Sequence, residues 1–374
     1  MTVIRTQDLQ NVARLRDRLG VLSVYVTVDP HQASPGPSAG QLLLPQLMAG
    51  LRRRISDAVG HRRVAELRQR LDVLQPAVDR LLDPAAHGLG RALFAGLDHG
   101  DTHEFAVQVP LADTVRLCDT AHLWPLAAAY SSEAPAGIVT VSGVGVRVLD
   151  YRLGHTDEIA AAAYEPAAET RELVGPGQAS SRQGPRSAAQ RDLHDRRMTA
   201  HLHKFLTDTG GRLNALAPWP DWKQILVTGD ANLVTAFTAG LPPGMHADLV
   251  TAAHTVPTAL PPAQVATLVA ADLRDARRRA HRRLAEQVRD AAFAGEAATY
   301  GPADTARAAA HGRVRHLLLD GSRPWAGDAT TEDSGRRELL VEQTYRAGGN
   351  VTLIDADAAG PLAGGEGIAA FLQP

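Results

Sequence analysis

The strongest constraint on the fold lies in the last third of the chain. There two apolar runs, VRHLLLD (Val314 to Asp320) and NVTLID (Asn350 to Asp355), are separated by a helical stretch near Arg337 to Arg346. Another helical stretch, Pro302 to Ala310, precedes them. Short apolar runs bounded by turn residues read as buried strands, and strands alternating with helices build α/β layers. Upstream, from about Pro262 to Ala294, Val265, Leu268, Val269, Leu273, Ala276, Ala280, Leu284 and Val288 fall on one helical face. The glycines of this region stand where a helix must stop or a turn must form. The pattern predicts a compact α/β/α sandwich.

The earlier segments repeat the alternation. VLSVYVTVD (Val21 to Asp29) is a β-branched run stopped by Pro30, and a Pro, Gly and Ser-rich loop follows from Pro35 to Gly40. Helices are expected over Gln41 to Val59 and Arg62 to Leu82, with Pro76 placed to kink or split the second. GRALFAG, EFAVQVPL and VRLCD read as further strands. GIVTVSG and VGVRVLDYRLG then form a hairpin about Gly143. A stretch rich in Gly, Pro, Ser and Gln (Val174 to Arg186) leads into a helix from Ser187 to about Leu206, with Ser187 and Gln190 spaced as a capping box. Met198, Leu202, Phe205 and Leu206 form its apolar stripe, WKQILVTGD is a strand, and Asp230 is placed to cap the helix ANLVTAFTAGL. The fold class is therefore α/β with three α/β domains, expected over residues 1–127, 128–257 and 258–374.

Several function classes are excluded by what is missing. The lone cysteine, Cys118, can form neither an internal disulfide nor a cysteine cluster. No stretch approaches the roughly 18 apolar residues of a membrane span, and the start of the chain reads as a polar helix without a signal core. A cytoplasmic protein with no membrane partner is expected. There is no Walker A, GxGxxG or HExxH sequence, so neither a nucleotide cradle nor a zinc site is visible, and no cofactor is expected. His201 and His203 lie two apart on a helix and cannot share a face. Asp355 and Asp357 end a strand, where turns are the ordinary reading. Net charge is −2, so nucleic-acid binding has to use local patches. Lys204 and Lys223 are the only lysines, so those patches are built from arginine, whose fork suits phosphates. The runs Arg52 to Arg54 and Arg277 to Arg283 read as solvated helix faces.

The ordering YGPADTARAAAHGRVRHLLLDGS, GGNVTLID and GEGIAAFLQP closely resembles the C-terminal domain of archaeal and eukaryotic class one peptide-chain release factors and Pelota. Gly367, Ile368, Ala369 and Ala370 match that family's ending, with Glu366 in place of a glycine. VLSVYVTVD, GRALFAG and the hairpin resemble its bacterial branch, which includes ribosome hibernation factors of the Balon kind. The resemblance extends over almost the whole chain. It implies a decoding-end domain, a central domain with a loop directed to the peptidyl-transferase centre, and a C-terminal domain that meets a translational GTPase such as an elongation factor.

In that family a GGQ loop hydrolyses peptidyl-tRNA. The corresponding residues here are Gly175, Pro176, Gly177 and Gln178, with Arg182 four residues after the glutamine, as in the family. Pro176 removes a backbone donor and fixes φ where the motif needs permissive glycine. A second register, Gly184, Pro185, Arg186 and Gln190, has the same interruption. Three readings stay open: a solvated loop, a hydrolytic loop using Gln178, and a binding loop. In the last, Gly175, Gly177, Gln178, Arg182, Gln183, Arg186, Gln190, Arg191 and Arg197 contact rRNA or tRNA, helped by the positive end of the following helix. The NIKS sequence that reads stop codons is absent from residues 1–127. Together the residues and the resemblance imply a ribosome A-site-binding protein of hibernation or rescue, with peptidyl-tRNA hydrolysis and a stand-alone enzyme or small-ligand regulator using the central domain as alternatives.

Overall fold

The computed structural model describes residues 4–29, 39–58, 61–165, 186–216, 221–243, 247–252, 255–257, 259–323 and 332–373. Its elements, in chain order, are α1 (Thr6–Ala13), β1 (Val21–Thr27), α2 (Ala39–Ala58), α3 (His61–Arg80), β2 (Gly90–Gly96), β3 (Thr102–Val107), β4 (Thr114–Cys118) and α4 (Trp124–Ser132). Next come β5 (Ala136–Ser142), β6 (Gly145–Arg152), β7 (His155–Ala163), α5 (Arg186–Gly211), α6 (Leu213–Leu216), β8 (Gln224–Gly229), α7 (Ala231–Ala239), β9 (Asp248–Thr251) and α8 (Pro262–Phe293). The last are β10 (Ala298–Tyr300), α9 (Pro302–Ala310), β11 (Val314–Asp320), α10 (Glu332–Arg346), β12 (Asn350–Ile354) and β13 (Ile368–Leu372). The protein is α/β, with three sheets among the described residues.

By contact the chain forms two units, one from residues 1–134 with 278–374 and one from residues 135–277. The first, composite unit holds two sheets. In one, β1 lies between β2 and β4 in the order β3-β2-β1-β4, all antiparallel. Alternation along β1 sends Leu22, Val24 and Val26 into a core with α2 and α3, which contribute Leu44, Met48, Leu67, Leu71 and Val78 among others. The opposite face carries Tyr25, whose hydroxyl donates to the His122 carbonyl at 2.6 Å. Helix α3 runs on as one element through Pro76, so it is not split there.

The second sheet of this unit has the order β10-β13-β11-β12, with β11 and β12 parallel and β13 antiparallel to its neighbours. The second half of α8 covers it through Ala285 and Val288 against Leu318, Ile354 and Ala369. Helices α9 and α10 pack on β11, β12 and β13. Edge strand β12 is covered from the first segment, where the Leu353 amide donates to Ser131 Oγ of α4 at 3.0 Å. A covered edge cannot template strand addition.

The central unit holds a five-stranded sheet ordered β7-β6-β5-β8-β9. The β5–β6 pair is the expected hairpin, closing at Ser142 opposite Gly145. β8 and β9 add in parallel to β5. On one face α5 and α7 bury Leu206, Val234 and Phe237 over Val139, Val148 and Val227. On the other, the first half of α8 buries Val265, Val269 and Leu273 over Ile138, Leu149 and Leu226. Asp230 caps α7 by accepting from the Asn232 amide at 2.9 Å, as its sequence position suggested.

Helices α5 and α7 approach closely because glycine lets them. A Cβ at Gly240 would stand 1.9 Å from the Thr207 carbonyl oxygen, and one at Gly210 would stand 2.2 Å from that of Phe237. Thr207 Oγ1 ties the contact by donating to the Ala236 carbonyl at 2.9 Å. Backbone oxygens cannot swing aside as a side-chain tip can. Gly240→Ala is expected to lower unfolding stability by about 2 to 3 kcal/mol through overpacking, measured as a lower urea midpoint at unchanged slope.

Candidate functional site

The central unit places its chemistry between strand β7 and helix α5. β7 reads HTDEIAAAA, and its run of alanines leaves room beside the helix that larger side chains would fill. An open groove of 610 Å³ results, lined by Ala162 of the strand and by His201, Lys204, Phe205, Asp208 and Arg212 of the α5–α6 region. Its aromatic residue, Phe205, packs against Tyr164, the rings lying 5.4 Å apart at 51°.

Helical periodicity explains the alignment. Steps of three and four residues carry Arg197, His201, Lys204, Asp208 and Arg212 along one face of α5 and its end. The apolar positions Met198, Leu202, Phe205 and Leu206 fall on the neighbouring stripe, and Leu206 is fully buried in the core. At 1.5 Å rise per residue, the cationic face from Arg197 to Arg212 spans about 22 Å. Arg197, Lys204 and Arg212 are exposed. Among the described residues no carboxylate pairs with any of the three, although Asp208 interrupts the row.

Other basic runs are engaged differently. Arg52 pairs with Asp72 at 2.8 Å and also donates to Gln75. Arg278 lies 3.5 Å from Asp357, whose carbonyl accepts from Arg282 at 2.6 Å. These runs therefore serve partly as structure, whereas Arg197, Lys204 and Arg212 of the α5 row are exposed and, among the described residues, form no ion pair. Forked and ammonium donors beside an aromatic pair suit a phosphate backbone with adjacent bases.

Of the residues singled out from sequence, Gly175, Gly177, Gln178, Arg182 and Gln183 lie outside the described residues. Arg186, Gln190 and Arg191 belong to the first turns of α5, with their side chains outside the description. Ser187, expected as a cap, lies one residue inside the helix, which extends to Gly211 rather than Leu206. Arg197 stands on the exposed face and joins the groove row. Sequence reasoning misses Lys204, Phe205 and Arg212 as partners of Arg197. The signal is present in the spacing 197, 201, 204, 208, 212 on a helix that the sequence delineates, but the groove itself needs β7. His201 is exposed and His203 half-buried. Among the described residues no helix is long and apolar enough to cross a membrane.

Residues 122–274 match the model of a family described as bacterial archaeo-eukaryotic release factor family 10. The resemblance to the bacterial branch of the release-factor and Pelota family is thus found independently, over a span that contains nearly the whole central unit. No curated protein matches the chain. Among solved structures, the chain is similar to archaeal translation termination factor aRF1, at 18% identity over 99% of both chains with a TM-score of 0.25. Pelota of Archaeoglobus fulgidus is 13% identical over 100% of this chain and 93% of its own, with a TM-score of 0.35. Dom34 of S. cerevisiae, a translation termination-like factor involved in RNA quality control and interacting with Hbs1, is 12% identical over 64% of this chain and 62% of its own, with a TM-score of 0.39. At these TM-scores the likeness says nothing about this chain's geometry, and the weight rests on the family match over residues 122–274.

Proposed function

We propose, taking the release-factor-family match of residues 122–274 as the premise, that this protein is a translation factor that occupies the ribosomal A site through its central unit, in hibernation or rescue of the ribosome. The observation that carries the reading is that the matched span holds an exposed cationic row beside an aromatic pair, on the helix that begins at Arg186, within the Gly175 to Gln190 segment. Arg197, Lys204 and Arg212 contact RNA phosphates, and Arg182, Arg186 and Arg191 are further contacts to rRNA or tRNA proposed from the sequence. Binding is preferred over hydrolysis because Pro176 and Pro185 interrupt both glutamine-bearing registers. A translational GTPase is the partner that the family resemblance suggests for the last segment of the chain.

Salt dependence of ribosome co-sedimentation is the test. Three phosphate contacts give a slope of about −2 to −3 in log affinity against log salt, so the row accounts for a loss of roughly 20- to 40-fold between 50 and 200 mM salt. The triple variant Arg197→Glu, Lys204→Glu, Arg212→Glu is expected to lose at least that factor at low salt and to show a flatter slope. Unchanged association of the variant would defeat the assignment of the groove. Robust single-turnover peptide release, abolished by Gln178→Ala and untouched by Gln190→Ala, would replace the binding reading with the hydrolytic one.

A further inference from the structure

A second cavity lies within the composite unit, at the carboxyl ends of the parallel strands β11 and β12. It encloses 420 Å³, the volume range of small-ligand sites. In open α/β sheets the crevice outside the carboxyl ends of parallel strands is where ligands sit, because loops diverge there and leave backbone and side-chain groups unblocked. This sheet has one such pair, β11 with β12, in register from His316 opposite Asn350 to Asp320 opposite Ile354. The chain immediately beyond both strands, Gly321 and Ser322 after β11 and Asp355 and Ala356 after β12, lines the cavity.

The two walls differ in chemistry. One comes from the first segment and is apolar, built from Leu111, Trp124, Pro125 and Ala128. The other carries hydrogen-bonding groups, chiefly the Asp355 carboxylate, whose side chain is one-third exposed, and Ser322. Both groups are positioned from behind. The Asp355 amide donates to Nδ1 of the buried His281 of α8 at 3.4 Å, and Asp320 Oδ1 accepts from the Ser322 amide at 2.9 Å and from its hydroxyl at 2.5 Å. The walls are also held together, since the Leu353 amide donates to Ser131 Oγ across them, so the cavity does not depend on a ligand to form.

Apolar side chains, an indole among them, lining the same cavity as a carboxylate suit a planar ligand with donors along one edge. Among the nucleobases guanine alone offers two adjacent donors, N1–H and the N2 amine, to a single carboxylate, while adenine and cytosine each pair a donor with an acceptor on that edge. Splayed bases are recognised in this way, stacked on one side and hydrogen-bonded on the Watson–Crick edge. We propose that this crevice is a binding site for a guanine nucleoside, with the base against Trp124, Pro125 and Ala128 and its donor edge on Asp355. The site lies outside the family-matched central unit's groove, and the proposal stands whether or not that groove binds the ribosome.

Isothermal titration of the full chain with guanosine, adenosine and cytidine tests it without ribosomes. Guanosine is expected to bind saturably, with the other two at least about ten-fold weaker, as bidentate edge recognition implies. Asp355→Asn turns one acceptor into a donor and is expected to lose about ten-fold for guanosine with little change for adenosine. Ala128→Phe fills the cavity from its apolar wall and is expected to abolish binding of guanosine, which keeps the test decisive if Asp355→Asn folds poorly. Absence of saturable guanosine binding to the wild-type chain, equal affinity for all three nucleosides, or undiminished binding to Ala128→Phe would each overturn the proposal.

Discussion

Glu338→Ala is expected to lower the unfolding free energy by about 3 to 5 kcal/mol, the range for removing one partner of a buried charged group. Glu338 on α10 accepts from Arg116 of β4 at 3.1 Å and faces the Nδ1 of His122, whose side chain is fully buried. Arg116 is itself only 12% exposed, so truncation leaves a guanidinium charge and an imidazole in a site that water reaches poorly. Glu338→Gln keeps an acceptor and removes the charge, so a smaller loss is expected. One turn along α10, Glu342, 2% exposed, repeats the arrangement with Arg16 and Arg346. The two glutamates, four residues apart on one helix face, thus join residues of the first segment to the last. Urea unfolding followed by far-UV circular dichroism measures the difference, and near-wild-type stability of Glu338→Ala would show that the network adds nothing.

The same network makes stability depend on pH. Burial pushes the His122 imidazole below its ordinary value of 6.5, with the neighbouring Glu338 carboxylate pulling the other way and Arg116 reinforcing the depression. A histidine whose folded value is depressed binds its proton more readily in the unfolded chain. Its stabilising contribution is therefore complete above about 6.5 and is lost as pH falls through that value toward the folded one. His122→Asn should flatten the slope of the urea midpoint in that window relative to the wild-type chain.

No local pattern announces this network, because His122 and Glu338 are 216 positions apart and each looks like an ordinary polar residue in its own segment. The strands that a local pattern announces most plainly include β1, β2, β5, β8, β11 and β12, which are β-branched or apolar runs with mostly buried side chains. β7 gives no such signal because HTDEIAAAA is poor in β-formers; it is held by its ladder to β6, with a register shift between Val148 and Leu149. β9 and β10, at four and three residues, are too short to carry a pattern and exist as additions to β8 and β13. The candidate site divides in the same way. Arg197 is visible from its helix, whereas the groove that Lys204, Phe205 and Arg212 line farther along the same helix depends on alanines in a strand that the pattern does not reveal.

Arg91→Met is expected to cost about 4 kcal/mol, from a residue that sequence reasoning assigns no role beyond lying in a strand. Arg91 is 2% exposed, and its guanidinium donates to four carbonyls of the turn between α3 and β2. Nη1 reaches Leu81 and Asp83 at 2.6 Å each, Nη2 reaches Ala86 at 2.6 Å and Nε reaches Gly88 at 3.1 Å. Burial lowers its pKa, opposed by Asp83, but a guanidinium stays charged throughout the accessible pH range. The charge is solvated by the turn itself in place of water. Methionine fills much of the volume and supplies no donor, so carbonyls that had charge-assisted bonds, worth about 1.5 to 3 kcal/mol each, must find water or go without. Some will rehydrate as the turn opens, which is why the expected loss is well below the sum of four. Lysine, with three donors on one tetrahedral nitrogen, cannot match the planar fork, so Arg91→Lys should fall between wild type and Arg91→Met. Amide hydrogen exchange across residues 81–89 separates this account from a general loss of packing: selective acceleration there supports the cradle, and uniform acceleration over β1 and β2 contradicts it.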